Sequence, residues 1–62
     1  MKREYLIKHL LKHGCNILRE GKKHTIVINK ENFSISSIPR HNEIKDTLCN
    51  EICKQLGIAK VK

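Results

Sequence analysis

The sequence predicts an α+β fold, in which a three-stranded antiparallel sheet is covered on one face by two helices. The chain has 62 residues, which is enough for one small domain. Segments with helical spacing of apolar residues lie near both ends, and three short segments rich in β-branched residues lie between them. The element order α-β-β-β-α suits a two-layer sandwich, because two helices can cover one apolar face of a three-stranded meander.

The first helix is predicted over residues 3–13, with Gly14 as its C-terminal cap. Its apolar side chains recur at helical spacing, at Leu6, Ile7, Leu10 and Leu11. His9 and His13 lie one helical turn apart and could in principle bind a metal ion. Nothing nearby supplies further ligands, so we interpret both as polar residues at the border of a basic helix face and expect no metal site.

The first two strands are predicted as a hairpin over residues 15–19 and 25–29, with Gly21 in the polar link between them. A third strand is predicted at Phe33-Ser34-Ile35-Ser36, where apolar and polar residues alternate. The alternation predicts that Phe33 and Ile35 face the core. It breaks at Ser37-Ile38, where a bulge or the end of the strand is expected, and Pro39 ends the strand.

The second helix is predicted to begin with Asp46 as its N-cap and to end at Gly57. Its apolar face consists of Leu48, Cys49, Ile52, Cys53 and Leu56. Because both cysteines share this face, we interpret them as small core residues rather than ligands or nucleophiles. Residues 59–62 are expected to fray.

The composition indicates a protein that binds polyanions. The formal net charge is +7, which favours RNA or DNA over a membrane surface as the partner. The three cysteines are an odd number without the spacing of a disulfide framework, which indicates reduced thiols. We expect a cytoplasmic protein, since no apolar run has the length of about 20 residues that a membrane span needs. We also expect that the protein has no cofactor.

The turn Arg19-Glu20-Gly21-Lys22-Lys23-His24 is the candidate functional site. An imidazole both accepts and donates protons near neutral pH. The neighbouring Lys22, Lys23 and Arg19 would hold a phosphodiester against His24 and stabilise its developing negative charge. RNA supplies its own nucleophile in the 2′-hydroxyl. The residues alone also fit two alternatives, a phosphate-binding surface without catalysis and a solvated hairpin tip.

Four blocks of the sequence resemble the HicA toxin family: 13–15 (His-Gly-Cys), 19–24 (Arg-Glu-Gly-Lys-Lys-His), 37–45 (Ser-Ile-Pro-Arg-His-Asn-Glu-Ile-Lys) and 52–58 (Ile-Cys-Lys-Gln-Leu-Gly-Ile). They occur in the family's order and extend over nearly the whole chain, so we expect one domain over residues 1–62. The resemblance implies a fold like the double-stranded RNA-binding domain. It also implies an mRNA interferase, the endoribonuclease toxin of a type II toxin–antitoxin pair.

The resemblance places the family's catalytic histidine at His24. The family often has glycine and serine directly before this histidine, where the chain has Lys22 and Lys23. The resemblance further implies RNA contacts near Arg40 and His41. His41 either makes a structural hydrogen bond or serves as a second proton-transfer group. The implied partners are mRNA and a HicB-type antitoxin. Two competing functions are a non-catalytic RNA-binding module of the same fold and a subunit that only binds another protein.

Overall fold

The computed structural model describes residues 1–61 and contains, within them, the five predicted elements in the predicted order. These are α1 (Arg3–Lys12), β1 (Cys15–Glu20), β2 (His24–Asn29), β3 (Ile35–Pro39) and α2 (Asp46–Leu56). The strands form one antiparallel sheet in the order β1-β2-β3. The predicted α+β fold, with three antiparallel strands and two helices, is therefore confirmed. Neither helix in residues 1–61 is long and apolar enough to cross a bilayer.

The two helices and one face of the sheet enclose the core. Along β2, Thr25, Val27 and Asn29 are buried, whereas the alternate residues Ile26 and Ile28 are half-buried. This alternation shows that one face of the sheet packs against the helices and that the other is uncovered. The buried apolar residues are Leu6, Leu10, Cys15, Val27, Ile38, Ile44, Cys49, Ile52, Cys53 and Leu56.

The cysteines are core residues, as the sequence predicts. Cys15, Cys49 and Cys53 are free thiols and are at most 1% exposed. Burial raises the pKa of all three thiols, because a low-dielectric environment disfavours the thiolate. They are therefore poor nucleophiles in the folded protein.

The predicted orientation of the third strand is wrong. Phe33 and Ile35 are 75% and 55% exposed, whereas Ser36 and Ile38 are buried. Phe33 precedes the strand and has a φ of 59°, in a turn closed by its N–H bond to the carbonyl of Asn29. Burial of Ser36 is tolerated because its hydroxyl donates to Gln55 Oε1 at 2.6 Å.

Two further predicted details of the strands and helix termini differ in the structure. The irregularity in the sheet lies in β1, between Ile17 and Arg19, and β3 pairs with β2 without interruption. The N-cap of α2 is Lys45 without a side-chain cap bond. Asp46 is instead the first residue of the helix. Its negative carboxylate interacts favourably there with the positive N-terminal end of the helix dipole.

Two asparagines bind the C-terminal end of α2. Asn29 Nδ2 donates to the carbonyl of Leu56 at 2.7 Å, and Asn32 Nδ2 donates to the same oxygen at 3.2 Å. Gly57 ends the helix, as predicted, with a left-handed φ of 71°. Asn29 of β2 and Asn32 of the following turn therefore provide hydrogen-bond donors for a carbonyl that has no donor within the helix.

The segment after α2 packs against the rest of the protein instead of fraying. The carbonyl of Ala59 lies 2.8 Å from His9 Nε2, and Val61 packs against the core. Lys62, the last residue of the predicted frayed tail, lies outside the described residues.

Candidate active site

The turn between β1 and β2 places His24 at the edge of the uncovered face of the sheet. The N–H of Gly21 donates to the carbonyl of His24 at 2.8 Å and closes the turn. A Cβ on Gly21 would lie 3.1 Å from that carbonyl oxygen, so a larger residue would press on the backbone of His24. Lys22, Lys23 and His24 are all exposed, and His24 is the first residue of β2.

An open groove of about 360 Å³ joins this turn to the segment that follows β3. His24 is the cross-strand partner of Pro39, so the residues after Pro39 emerge beside the β1–β2 turn. The groove is lined by Lys22, Lys23, His24, Pro39, Arg40 and His41. The structure therefore brings together five of the six site residues that the sequence predicts.

The sixth predicted site residue, Arg19, lies next to the groove and does not line it. Arg19 pairs with Ile26 across the β1–β2 ladder, and Ile26 follows His24 by two positions on the same face. Diagonal neighbours of this kind have their side chains about 7–8 Å apart, within the range of an arginine. Arg19 therefore adds positive charge to the sheet face beside the groove.

The four cations in and beside the groove are Arg19, Lys22, Lys23 and Arg40, and they differ in whether an acidic side chain pairs with them. Arg40 Nη1 lies 3.2 Å from Glu20 Oε1. Among residues 1–61, the ion pairs of the protein involve neither lysine of the turn, Lys22 or Lys23. An exposed ion pair contributes only about 0–1 kcal/mol, so a phosphate can replace Glu20 at Arg40 at small cost.

Arg3 is a positioning residue that the sequence does not reveal. Its Nε donates to the carbonyl of Pro39 at 3.3 Å, and its Nη2 donates to Thr25 Oγ1. Its backbone N–H donates to the carbonyl of Asn42 at 2.8 Å. One residue of α1 thus fixes the strand end that carries His24 and both ends of the loop that carries His41. No local signal could have identified it, because its partners are 22 to 39 positions away in the chain.

The two histidines of the groove are without structural hydrogen bonds. Within residues 1–61, the hydrogen bonds of histidine rings belong to His9 and His13. The rings of His24 and His41 are exposed and make none, so their nitrogens are free to contact a ligand. Within the same residues the ring of His41 has no hydrogen-bond partner, and its role stays a prediction.

The model of the family described as "HicA toxin of bacterial toxin-antitoxin" matches residues 3–58, which is nearly the whole chain. The chain belongs to the HicA toxin family. No curated protein and no solved structure gives a significant match. Membership in the HicA family identifies the protein as a toxin of a toxin–antitoxin pair, with an antitoxin as partner and RNA as the general target of the family.

The remaining histidines of this HicA family member lie at the C-terminal end of α1 and do not line the groove: His9 is in the helix and His13 is its C-cap. The ring centroids of His9 and His13 are 4.2 Å apart. His9 Nε2 bonds to the carbonyl of Ala59, and His13 Nδ1 lies 2.9 Å from the carbonyl of His9. In the described part of the chain, no group of three or more His, Cys, Asp or Glu side chains is arranged to hold a metal ion. Both rings bond to backbone carbonyl groups at this end of α1.

Proposed function

We propose that this HicA family member is an mRNA interferase, an endoribonuclease that cleaves messages and thereby inhibits translation in the cytoplasm. The observation that carries the proposal is the position of His24. Its exposed imidazole lies in a groove lined by Lys22 and Lys23, which have no ion-pair partner in residues 1–61, and by Arg40. This combination provides a proton-transfer group beside a phosphate-binding surface.

The reaction follows from the chemistry of RNA and these side chains. The 2′-oxygen of a ribose attacks the adjacent phosphorus, and the bond from phosphorus to the 5′-oxygen of the next nucleotide breaks. The products are a 2′,3′-cyclic phosphate and a 5′-hydroxyl. His24 transfers a proton, while Lys22, Lys23, Arg40 and the adjoining Arg19 stabilise the additional negative charge on the phosphoryl oxygens. We propose that the reaction needs no metal ion, because the substrate supplies the nucleophile and the groove supplies the positive charge.

The same surface would bind the antitoxin, which we propose is of the HicB type. A toxin with a net charge of +7 attracts a partner that presents carboxylates, because complementary charge accelerates their encounter. A partner seated over the groove would exclude the message. Neutralisation of the toxin would therefore result from competition for Lys22, Lys23 and His24.

A non-catalytic RNA-binding module is the second candidate function. It is favoured by the exposure of both lysines, since phosphate contacts alone hold RNA without cleaving it. In that case His24 would be an exposed turn residue without a chemical role. The two functions differ in whether the purified protein changes the covalent structure of RNA.

The test is incubation of the purified protein with a defined message in the presence of a chelator, followed by mapping of the fragment ends. We expect fragments that end in a 2′,3′-cyclic phosphate and begin with a 5′-hydroxyl. A matched oligonucleotide with a single 2′-deoxyribose at the mapped position is expected to resist cleavage there. Binding without cleavage, even at high protein concentration, would instead support the RNA-binding module. Cleavage that requires added divalent cation would contradict the metal-independent reaction.

A further inference from the structure

We propose that His41 is a second catalytic residue, which acts with His24 as a proton-transfer pair on opposite sides of the scissile phosphodiester. This inference rests on the proposed endoribonuclease function and deepens it. In the proposed reaction one imidazole accepts a proton and the other donates one, whereas the reaction described above uses His24 alone.

The geometry of phosphodiester cleavage calls for two groups. The attacking 2′-oxygen and the leaving 5′-oxygen lie roughly in line on opposite sides of phosphorus. The first oxygen must lose a proton and the second must gain one. A single imidazole on one side of the phosphate reaches only one of these oxygens in a single step. A second group on the other side removes the need to generate a free alkoxide.

The register of the sheet places the start of the His41 loop beside His24. His24 is the cross-strand partner of Pro39, and such pairs have Cα atoms about 4.5–5.5 Å apart. His41 follows Pro39 by two residues, which span at most about 7 Å. The Cα atoms of the two histidines therefore lie within about 12 Å of each other, and both side chains line the same groove. A phosphate bound in the groove between them would be within reach of both rings.

The loop that carries His41 is fixed on both sides of this residue. Before it, the carbonyl of Pro39 accepts a bond from Arg3 Nε, and Arg40 pairs with Glu20. After it, the carbonyl of Asn42 accepts a bond from the N–H of Arg3 at 2.8 Å. The backbone is thus held while the ring of His41 remains without a hydrogen bond to residues 1–61. An anchored loop with a free imidazole is suited to proton transfer, because the backbone that carries the ring is held in place before the substrate binds and the ring nitrogens are open to it.

The other groove residues do not serve this role equally well. Lysine and arginine hold their protons tightly near neutral pH and therefore act chiefly as fixed positive charges. Proline has no group to titrate. Histidine is the side-chain type that gains and loses a proton readily under these conditions, and the groove contains His24 and His41 of this type.

Two proton transfers accompany the formation and cleavage of the bonds to phosphorus. One imidazole, in its neutral form, takes the proton of the 2′-hydroxyl as the bond from the 2′-oxygen to phosphorus forms. The other, in its protonated form, gives a proton to the 5′-oxygen as the bond from phosphorus to that oxygen breaks. The pair exchanges its protonation states in the step, and solvent restores them. No oxidant, reductant or further reactant is consumed.

The test compares an ordinary RNA substrate with one in which sulfur replaces the bridging 5′-oxygen at the cut position. A thiolate leaves without being protonated, because its conjugate acid is far stronger than an alcohol. The proteins are the wild type, His24→Gln, His41→Gln and, as the control, Arg40→Gln, with RNA affinity and thermal unfolding measured for each. Both histidine variants are expected to cleave the oxygen substrate at least about 100-fold more slowly than the wild type. The sulfur substrate is expected to restore cleavage in the variant that lacks the acid and not in the other.

The control separates proton transfer from phosphate binding. Arg40→Gln is expected to bind RNA more weakly and to show the same defect with oxygen and with sulfur. The proposal is overturned if His41→Gln cleaves the oxygen substrate as fast as the wild type, or if its defect is one of RNA affinity alone. It is also overturned if sulfur rescues neither histidine variant. Failure of the wild type to cleave the oxygen substrate is a different result, since it contradicts the endoribonuclease function itself.

Discussion

Replacement of Lys22 and Lys23 by glutamine is expected to reduce the salt dependence of RNA binding. Both side chains are exposed, and neither belongs to the ion pairs found among residues 1–61. Their charge is therefore available to phosphates. Each phosphate that a cation neutralises on a single strand releases counterions, and each adds about 0.7 to the slope of log affinity against log salt concentration.

The four cations in and beside the groove set the size of this slope. With one phosphate at each of Arg19, Lys22, Lys23 and Arg40, the slope for the wild type is about −2.8. Between 50 and 200 mM salt the affinity then falls about 50-fold. The Lys22→Gln/Lys23→Gln variant retains two contacts and a slope of about −1.4, so its affinity falls only about sevenfold over the same interval.

Fluorescence anisotropy with a 2′-O-methyl oligonucleotide measures this slope without cleavage of the ligand. The matched control is Lys8→Gln/Lys12→Gln, which removes the same charge from the exposed side of α1 and leaves the groove intact. We expect the slope of the control to stay within about 0.3 of the wild type, since its lysines contact no phosphate. An equal fall in slope for both pairs would show that net charge, rather than the groove, determines RNA binding, and it would contradict phosphate binding by Lys22 and Lys23.

Three other predictions concern the contacts around the groove and core. Asn29→Ala leaves the carbonyl of Leu56 with one donor, the more distant Asn32. The free energy of unfolding is expected to fall by about 2 kcal/mol, and the midpoint of thermal unfolding by about 8–16 °C. A shift below about 3 °C in melts followed by circular dichroism would contradict this. Burial raises the pKa of the three thiols, so the native protein is expected to resist a thiol reagent at pH 8. The folded state then favours the protonated thiols, so their contribution to the free energy of unfolding is retained below the ordinary thiol pKa and is lost as the pH rises above it, which denaturant titrations at several pH values measure. Rapid labelling of the native protein would contradict the first expectation, and a free energy of unfolding that does not fall in alkaline solution would contradict the second. Glu20→Gln frees Arg40 and is expected to raise RNA affinity by up to about fivefold, and a lower affinity would contradict a role for Arg40 in binding.

The sequence predicts the elements of this fold because each has a local signal. The helical spacing of Leu6 and Leu10 identifies α1, and the glycine turn between two β-branched segments identifies the hairpin. The orientation of β3 was not accessible in the same way. Alternation in Phe33-Ser34-Ile35-Ser36 indicates that two faces differ, but it does not indicate which face the helices cover. Ser36 is buried because Gln55 of α2 supplies its hydrogen-bond partner, and that contact is tertiary.

The candidate site was predictable in part for the same reason. Lys22, Lys23 and His24 are contiguous, so their chemistry is visible in the sequence. Arg40 and His41 were indicated by the family resemblance alone, and their position beside His24 follows from the pairing of His24 with Pro39, which directly precedes them. Neither the positioning role of Arg3 nor the ion pair of Glu20 with Arg40 carried a local signal, because both depend on contacts between distant parts of the chain.

The most direct test of the account is single-turnover cleavage of a defined RNA by His24→Ala, measured beside its affinity for a non-cleavable analogue. His13→Ala is the control, because it removes an imidazole from the C-cap of α1 and changes no residue that lines the groove. We predict that His24→Ala loses at least about 100-fold in cleavage rate, with RNA affinity and circular dichroism close to those of the wild type, and that His13→Ala retains cleavage. Cleavage by His24→Ala at the wild-type rate would contradict the assignment of His24 as the catalytic residue.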